Sequence, residues 1–179
     1  MSERITPPGG TSDAGPSVVR YREELRAAFE QLNRDWIESY FVLEDADREV
    51  FADPGHSILD RGGQIFFVVE KGNALGTCAV LRHSSAECEI AKMAVAPAAR
   101  GRGLGHLLMA AAIDYAREIG ATRILIVSNR VLEPALQLYR KHGFLEVPLG
   151  SNERYQRANI RMERQLDARV SAGPRGADE

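Results

Sequence analysis

Six residues, Arg100-Gly101-Arg102-Gly103-Leu104-Gly105, place three glycines and two arginines directly before the apolar run HLLMAAAIDYA. A helix start leaves its first N–H groups unpaired and carries the positive end of the helix dipole, while glycine lets a ligand come close to the backbone. The stretch therefore reads as a cradle for a phosphate-bearing ligand. The dinucleotide pattern G-x-G-x-x-G does not fit, since a match begun at Gly101 ends on His106 and one begun at Gly103 ends on Leu108. The mononucleotide pattern G-x-x-x-x-G-K-[ST] has no match either, because no Gly-Lys-Ser or Gly-Lys-Thr occurs. Groups suited to proton transfer lie on both sides of this loop: Glu87 and Glu89 in ECEIAKMAV, and Tyr139 in LYRKHGF.

The elements that must position these groups follow from apolar spacing. Residues 1–16 and 167–179 are rich in Gly, Pro, Ser and Asp and have too little apolar content to offset the entropy of ordering, so they are expected to be tails around one domain at 17–166. SVVRY reads as a strand, and Leu25, Ala28, Phe29, Leu32, Trp36 and Tyr40 mark a helix near Glu23–Tyr40. Pro54 and Gly55 split the segment 44–61 into two short helical pieces. QIFFVVE, LGTCAVL and ECEIAKMAV, separated by KGNA and RHSSA, predict an antiparallel meander. Leu104, Leu107, Leu108, Ala111, Tyr115 and Ile119 return to helical spacing, Gly120 stops that helix, and TRILIVS reads as a buried parallel strand. A last helix from Pro134 to His142 and two closing strands, FLEVPL and NIRMERQL, complete a mixed α/β class with one central sheet.

With the loop and its flanking elements assigned, a resemblance becomes specific. The stretch AKMAVAPAARGRGLGHLLMAAAIDYAREIGATRILIVSNRVLEPALQLYRKHGF resembles the GNAT acyltransferase superfamily, whose loop pattern [RQ]-x-x-G-x-[GA] is met by Arg100, Gly103 and Gly105. Tyr139 and Gly143-Phe144 match its Tyr followed by Gly-Phe, and LNRDWIESYF and RANIRME resemble one bacterial, small-molecule or amino-acid-type branch. The resemblance implies a splayed sheet of about seven strands flanked by about four helices, and acetyl-coenzyme A as co-substrate without a metal. It implies N-acetylation of a small-molecule primary amine by direct attack in a ternary complex; a protein or peptide amine, or an acyl-coenzyme A sensor without turnover, are the alternatives.

Residue by residue, it implies that the backbone of Met93, Ala94 and Val95 meets the pantetheine arm and that the Val95 N–H polarises the thioester carbonyl. It further implies that residues 100–106, including Arg102, Leu104 and His106, surround the pyrophosphate, that Tyr139 lies by the coenzyme sulfur and protonates it, and that Glu89 or a water is the base; strand alternation and the nearby turn make Glu87 solvated. Asn129 stands ten residues before Tyr139 where the family pattern has an Asn seven before, a place held here by Leu132. Asn129 is thus open between a cofactor contact and a turn residue. Trp36 and Tyr40 are expected on the acceptor side, with Glu38 and Glu44 near a cationic amine, and Arg130, Arg140 and Lys141 either approach phosphates or stay solvated.

A formal net charge of −2 and scattered Lys and Arg give no basic field for nucleic acid. Cys78 and Cys88 show neither C-x-x-C spacing nor a metal-ligand partner, and no apolar run reaches membrane-spanning length. A cytoplasmic protein without membrane or nucleic-acid partners is expected, with a homodimer through an exposed NIRMERQL strand left open.

Overall fold

Runs of β-branched and aromatic residues become strands here, and tight turns fix their order. The computed structural model describes residues 15–151 and 154–167; the expected tails lie outside these apart from residues 15, 16 and 167. Strands β1 (Ser17–Arg20), β2 (Gln64–Glu70), β3 (Asn73–Arg82) and β4 (Glu87–Val95) form the expected antiparallel succession. Lys71 and Gly72, both at positive φ, make the two-residue turn that suits the twist of a hairpin.

β5 (Arg123–Ser128) lies parallel to β4 but pairs with it only where Glu87–Glu89 face Arg123–Leu125, after which the two strands part. β7 (Ile160–Gln165) pairs along the whole of β5, and β6 (Leu145–Val147) pairs with the other side of β7, giving the order β1-β2-β3-β4-β5-β7-β6. The expectation that NIRMERQL is an exposed final strand is therefore corrected. Ile160 and Met162 are buried and β7 is internal, because β6 is laid down first at the edge and the chain then returns to place β7 between it and β5. The edge on this side of the sheet is β6, whose three residues offer little ladder to a partner.

Among the described residues four α-helices cover this sheet: α1 (Arg26–Glu38), α2 (Asp45–Ala52), α3 (Leu104–Glu118) and α4 (Glu133–Lys141). Phe29, Ile37, Val50 and Phe51 of α1 and α2 pack with Ile65, Phe67 and Ala79 on one face. On the other face Leu108, Met109, Ala112 and Leu136 of α3 and α4 pack with Val80, Ile124 and Phe144. Each such fully buried aliphatic or aromatic side chain contributes roughly 1.5–3 kcal/mol. The buried stripe of α3 is Leu104, Leu108, Met109, Ala112, Ile113 and Ala116, whereas Leu107, placed in the stripe by spacing, is 40% exposed. A helix apolar nearly all round offers two overlapping stripes, and the one with the small Ala112 and Ala116 against the strands wins.

The ladder between β3 and β4 is irregular at one place. On β3 Thr77 pairs with Ala94 and Ala79 with Ala91, so Cys78 alone opposes Lys92 and Met93, and Lys92 takes φ +52. This β-bulge changes which side chains face α3: Cys88 and Ile90 before it, Met93 and Val95 after it.

Candidate active site

The loop between β4 and α3 is shaped by two left-handed glycines, Gly101 at φ +76 and Gly103 at φ +75. A side chain is strained at such angles, and a Cβ added at either would meet nothing within 4 Å, so the backbone here faces open space. Gly103 is the N-cap of α3, and Leu104 and Gly105 are first-turn residues whose amides the helix itself leaves without acceptors. The geometry suits an anion. The arginines do less than their number suggests. Arg102 is bidentate to Glu70 at the end of β2, at 2.7 and 3.1 Å, and Arg100 Nε donates to the Val95 carbonyl at 3.3 Å, tying the loop to β4. His106 sits 2.9 Å, Nδ1 to Nε2, from His142 at the end of α4.

Where β4 and β5 part, a cleft of about 690 Å³, its mouth included, runs between Trp36, Ile37 and Phe41 on one side and Ile126 to Asn129, Leu132 and Tyr139 on the other. Glu89 to Met93 form its wall along β4. The Ala96 N–H donates to the Leu75 carbonyl on β3 at 2.8 Å, and backbone groups alternate along a strand, so the Val95 N–H turns away from β3 toward the gap. The loop amides and this free stretch of β4 fit an extended ligand with a phosphate end.

Tyr139 projects from α4 into the cleft, 9% exposed, with its ring edge-on to Phe144. Burial pushes its phenol up to about 12, against the opposing effect of the Ser128 hydroxyl hydrogen-bonded to it, so it stays protonated at neutral pH. On the opposite wall a Glu89 carboxyl oxygen lies 2.9 Å from His83 Nε2 just past the end of β3, a hydrogen bond whose donor is set by the imidazole tautomer. That hydrogen bond and the Glu89 charge raise the His83 pKa although partial burial works the other way. Glu87, expected to be solvated, is instead paired with Arg123 on β5.

Behind the cleft lies an ionic cluster that spacing did not reveal. Asp47, fully buried on α2, receives the Lys92 ammonium from the β4 bulge and both Arg157 nitrogens at 2.8 Å, and it caps α2 by accepting from the Glu44 N–H at 3.0 Å. Glu44 accepts from the Gln156 N–H at 2.9 Å and from Arg157, and the Tyr155 ring lies under both cations, 4.5 Å from Lys92 and 4.4 Å from Arg157. Burial alone would raise Asp47; the Arg157 hydrogen bonds and the Lys92 charge outweigh it and hold the carboxyl at about 2. Burial lowers Lys92 to about 8 despite Asp47. The signals that could have drawn attention were a lysine inside the apolar run EIAKMAV and the acidic spacing of Glu44 and Asp47 at a helix start.

Other expected residues fall elsewhere. Asn129 lines the cleft and also binds within the chain: its Nδ2 donates to the Arg157 carbonyl at 2.6 Å and its Oδ1 accepts from the Val131 N–H at 3.0 Å. Trp36 lines the cleft, but Tyr40 does not; Tyr40 is 51% exposed and stacks on Trp36 and Phe41. Glu38 and Glu44 do not gather around an open amine position, since Glu44 serves Arg157 and Glu38 lies beside Arg34. Arg130 and Arg140 pair with Glu146 and Glu133. Among the described residues no helix is long and apolar enough to cross a membrane, and no three metal-ligating side chains converge.

The fold, the parted strands and the glycine loop together define an acetyltransferase of a known kind. The chain belongs to the Acetyltransferase (GNAT) family, whose model matches residues 23–144. It is 32% identical over 165 residues, 87% of this chain and 92% of the relative, to YjgM of Escherichia coli, described as an uncharacterized N-acetyltransferase. A shorter match, 46% over 50 residues and about a quarter of each chain, joins it to the streptothricin acetyltransferase of Streptomyces lavendulae. A GNAT-family acetyltransferase from Staphylococcus aureus superposes with a TM-score of 0.77 at 18% identity, covering 86% of this chain and 100% of its own. The yncA protein of Salmonella typhimurium, solved with its cofactor acetyl-CoA, has a TM-score of 0.66 at 18% identity, over 88% of this chain and 98% of its own.

Proposed function

We propose that the enzyme uses acetyl-CoA to acetylate the primary amine of a small molecule, by direct attack with both substrates bound. The observation that carries this reading is the gap between β4 and β5, with the Val95 N–H turned into it, the glycine loop at one end, and Glu89 and Tyr139 on opposite walls. The local similarity to a streptothricin acetyltransferase supports a small acceptor.

Acetyl-CoA supplies an activated thioester. The amides of residues 101–105 hold its pyrophosphate, the β4 backbone from Met93 to Val95 lines its arm, and the Val95 N–H donates to the carbonyl oxygen, where a preorganised donor is worth a few kcal/mol. Glu89 takes a proton as the amine attacks, and Tyr139, a phenol protonated at neutral pH, gives one to the departing sulfur.

The test is thiol release from acetyl-CoA against amino acids, polyamines, aminoglycosides and short peptides. Selective turnover of a small amine supports the reading; tight coenzyme binding without turnover favours a sensor, and preference for peptides favours a protein acceptor. Two variants probe the parts. Tyr139→Phe is expected to lower kcat by about a hundredfold, the usual scale of a lost general acid, with the coenzyme KM unchanged. Gly103→Ala forces a side chain into the left-handed region at roughly 1–2 kcal/mol, so the coenzyme Kd measured by calorimetry is expected to rise about tenfold while kcat holds.

A further inference from the structure

Glu89 borders two spaces, the cleft and a separate open groove on the α1/α2 face of the sheet lined by Leu81, His83, Glu87 and Arg154. Its carboxylate lies 2.9 Å from His83 Nε2, and the imidazole is 43% exposed on the groove side. We propose that His83 is the proton acceptor behind Glu89: the carboxylate takes the proton from the attacking amine in the cleft and passes it to His83, which holds it at the solvent side. The inference rests on the reading of Glu89 as base.

A free carboxylate, with an ordinary pKa near 4.3, is a weak acceptor for an ammonium proton, whereas an imidazole near 6.5 holds the same proton about a hundredfold more tightly. The pair thus combines a small, partly buried group that fits the cleft with a stronger base that need not enter it. The proton balance is complete with His83 starting as the Nδ1–H tautomer, its Nε2 unprotonated: the ammonium N–H breaks, the Glu89 O–H forms and breaks, the His83 Nε2–H forms, and solvent takes the Nδ1 or Nε2 proton of the imidazolium between turnovers. The surroundings favour that imidazolium. Glu89 and Glu87 face it from β4, Arg161 of β7 opposes it more weakly, and Arg154 and Tyr155 line the same groove. Glu87 is partly neutralised by Arg123, and Arg82 on the same turn is directed to the Ser84 carbonyl.

The experiment measures kcat/KM against pH, using acetyl-CoA and the fastest amine of the panel, for wild type, His83→Gln, His83→Ala and Glu89→Gln. Wild-type activity is expected to fall as pH drops through the His83 pKa, because an imidazolium beside Glu89 cannot accept a second proton. In His83→Gln that limb moves down toward the carboxylate range and the plateau falls about tenfold, between no effect and the hundredfold difference in basicity. Added imidazole, admitted by the open groove, restores rate to His83→Ala and not to Glu89→Gln, which a purely structural histidine would not do. Superimposable profiles for wild type and His83→Gln, with Glu89→Gln strongly impaired, overturn the relay and leave the base. An unimpaired Glu89→Gln, or no turnover of any amine, overturns both.

Discussion

Asp47→Asn is expected to lower the unfolding free energy by about 3–5 kcal/mol, the cost of leaving buried charges without their counter-charge. Asp47 is fully buried, and the Lys92 side chain is 5% exposed and Arg157 17% exposed, so water cannot replace the lost partner cheaply. For a chain of this size that is a fall in Tm of roughly 6–20 °C, read by calorimetry. The double variant Asp47→Asn/Lys92→Met should recover a sizeable part, since it removes the stranded ammonium while Arg157 keeps Glu44. The pH dependence has a definite sign. The folded carboxyl sits at about 2 against an ordinary 3.8, so its contribution is whole above about pH 4 and fades as pH falls from there toward 2. The gap between wild type and variant should therefore narrow in that window. A Tm within a degree or two of wild type at pH 7 would mean that desolvation cancels the pairing.

The second large effect is on rate. Glu89→Gln is expected to reduce kcat by 10² to 10⁴, roughly the span of a lost general base, with the fold intact because glutamine can still meet His83. The size of the loss should depend on the acceptor. An α-amine of pKa about 7.7–8.0 is largely neutral by pH 9, whereas an alkylamine near 10.4 is not, so the deficit shrinks with pH for the first and persists for the second. Rates at pH 7 and pH 9 for one amine of each kind decide this; an equal deficit for both would place the essential proton transfer elsewhere.

The parts of this site legible in the sequence are those whose cause is local. Glycines at 101 and 103 before a helix, alternating runs joined by short turns, and an α4 tyrosine ahead of Gly143-Phe144 all act within a few residues of themselves. What spacing did not supply is long-range pairing. Lys92 and Asp47 are 45 residues apart, and Asp47 and Arg157 are 110 apart, so no window contains the cluster that braces the cleft. The buried face of α3 escaped for another reason, because its composition permits two stripes and only the sheet selects one. The place of β7 depends on the chain returning inside the earlier β6, which neither strand encodes alone. His83 and Glu89 were closer to view, six residues apart across one turn, but a turn histidine has no pattern of its own.

The extra residue at Lys92 makes β4 two strands of opposite parity in one chain. Were Lys92 instead paired in strict alternation with its neighbours, the amide aimed at the gap would aim at β3, and every side chain from Met93 onward would change sides. The strand's chemistry is thus written in an odd number rather than in any side chain, and most substitutions along Met93–Val95 leave it readable. What it depends on is that Lys92, held at φ +52, stays outside the alternation, a condition of the backbone to which composition is nearly blind.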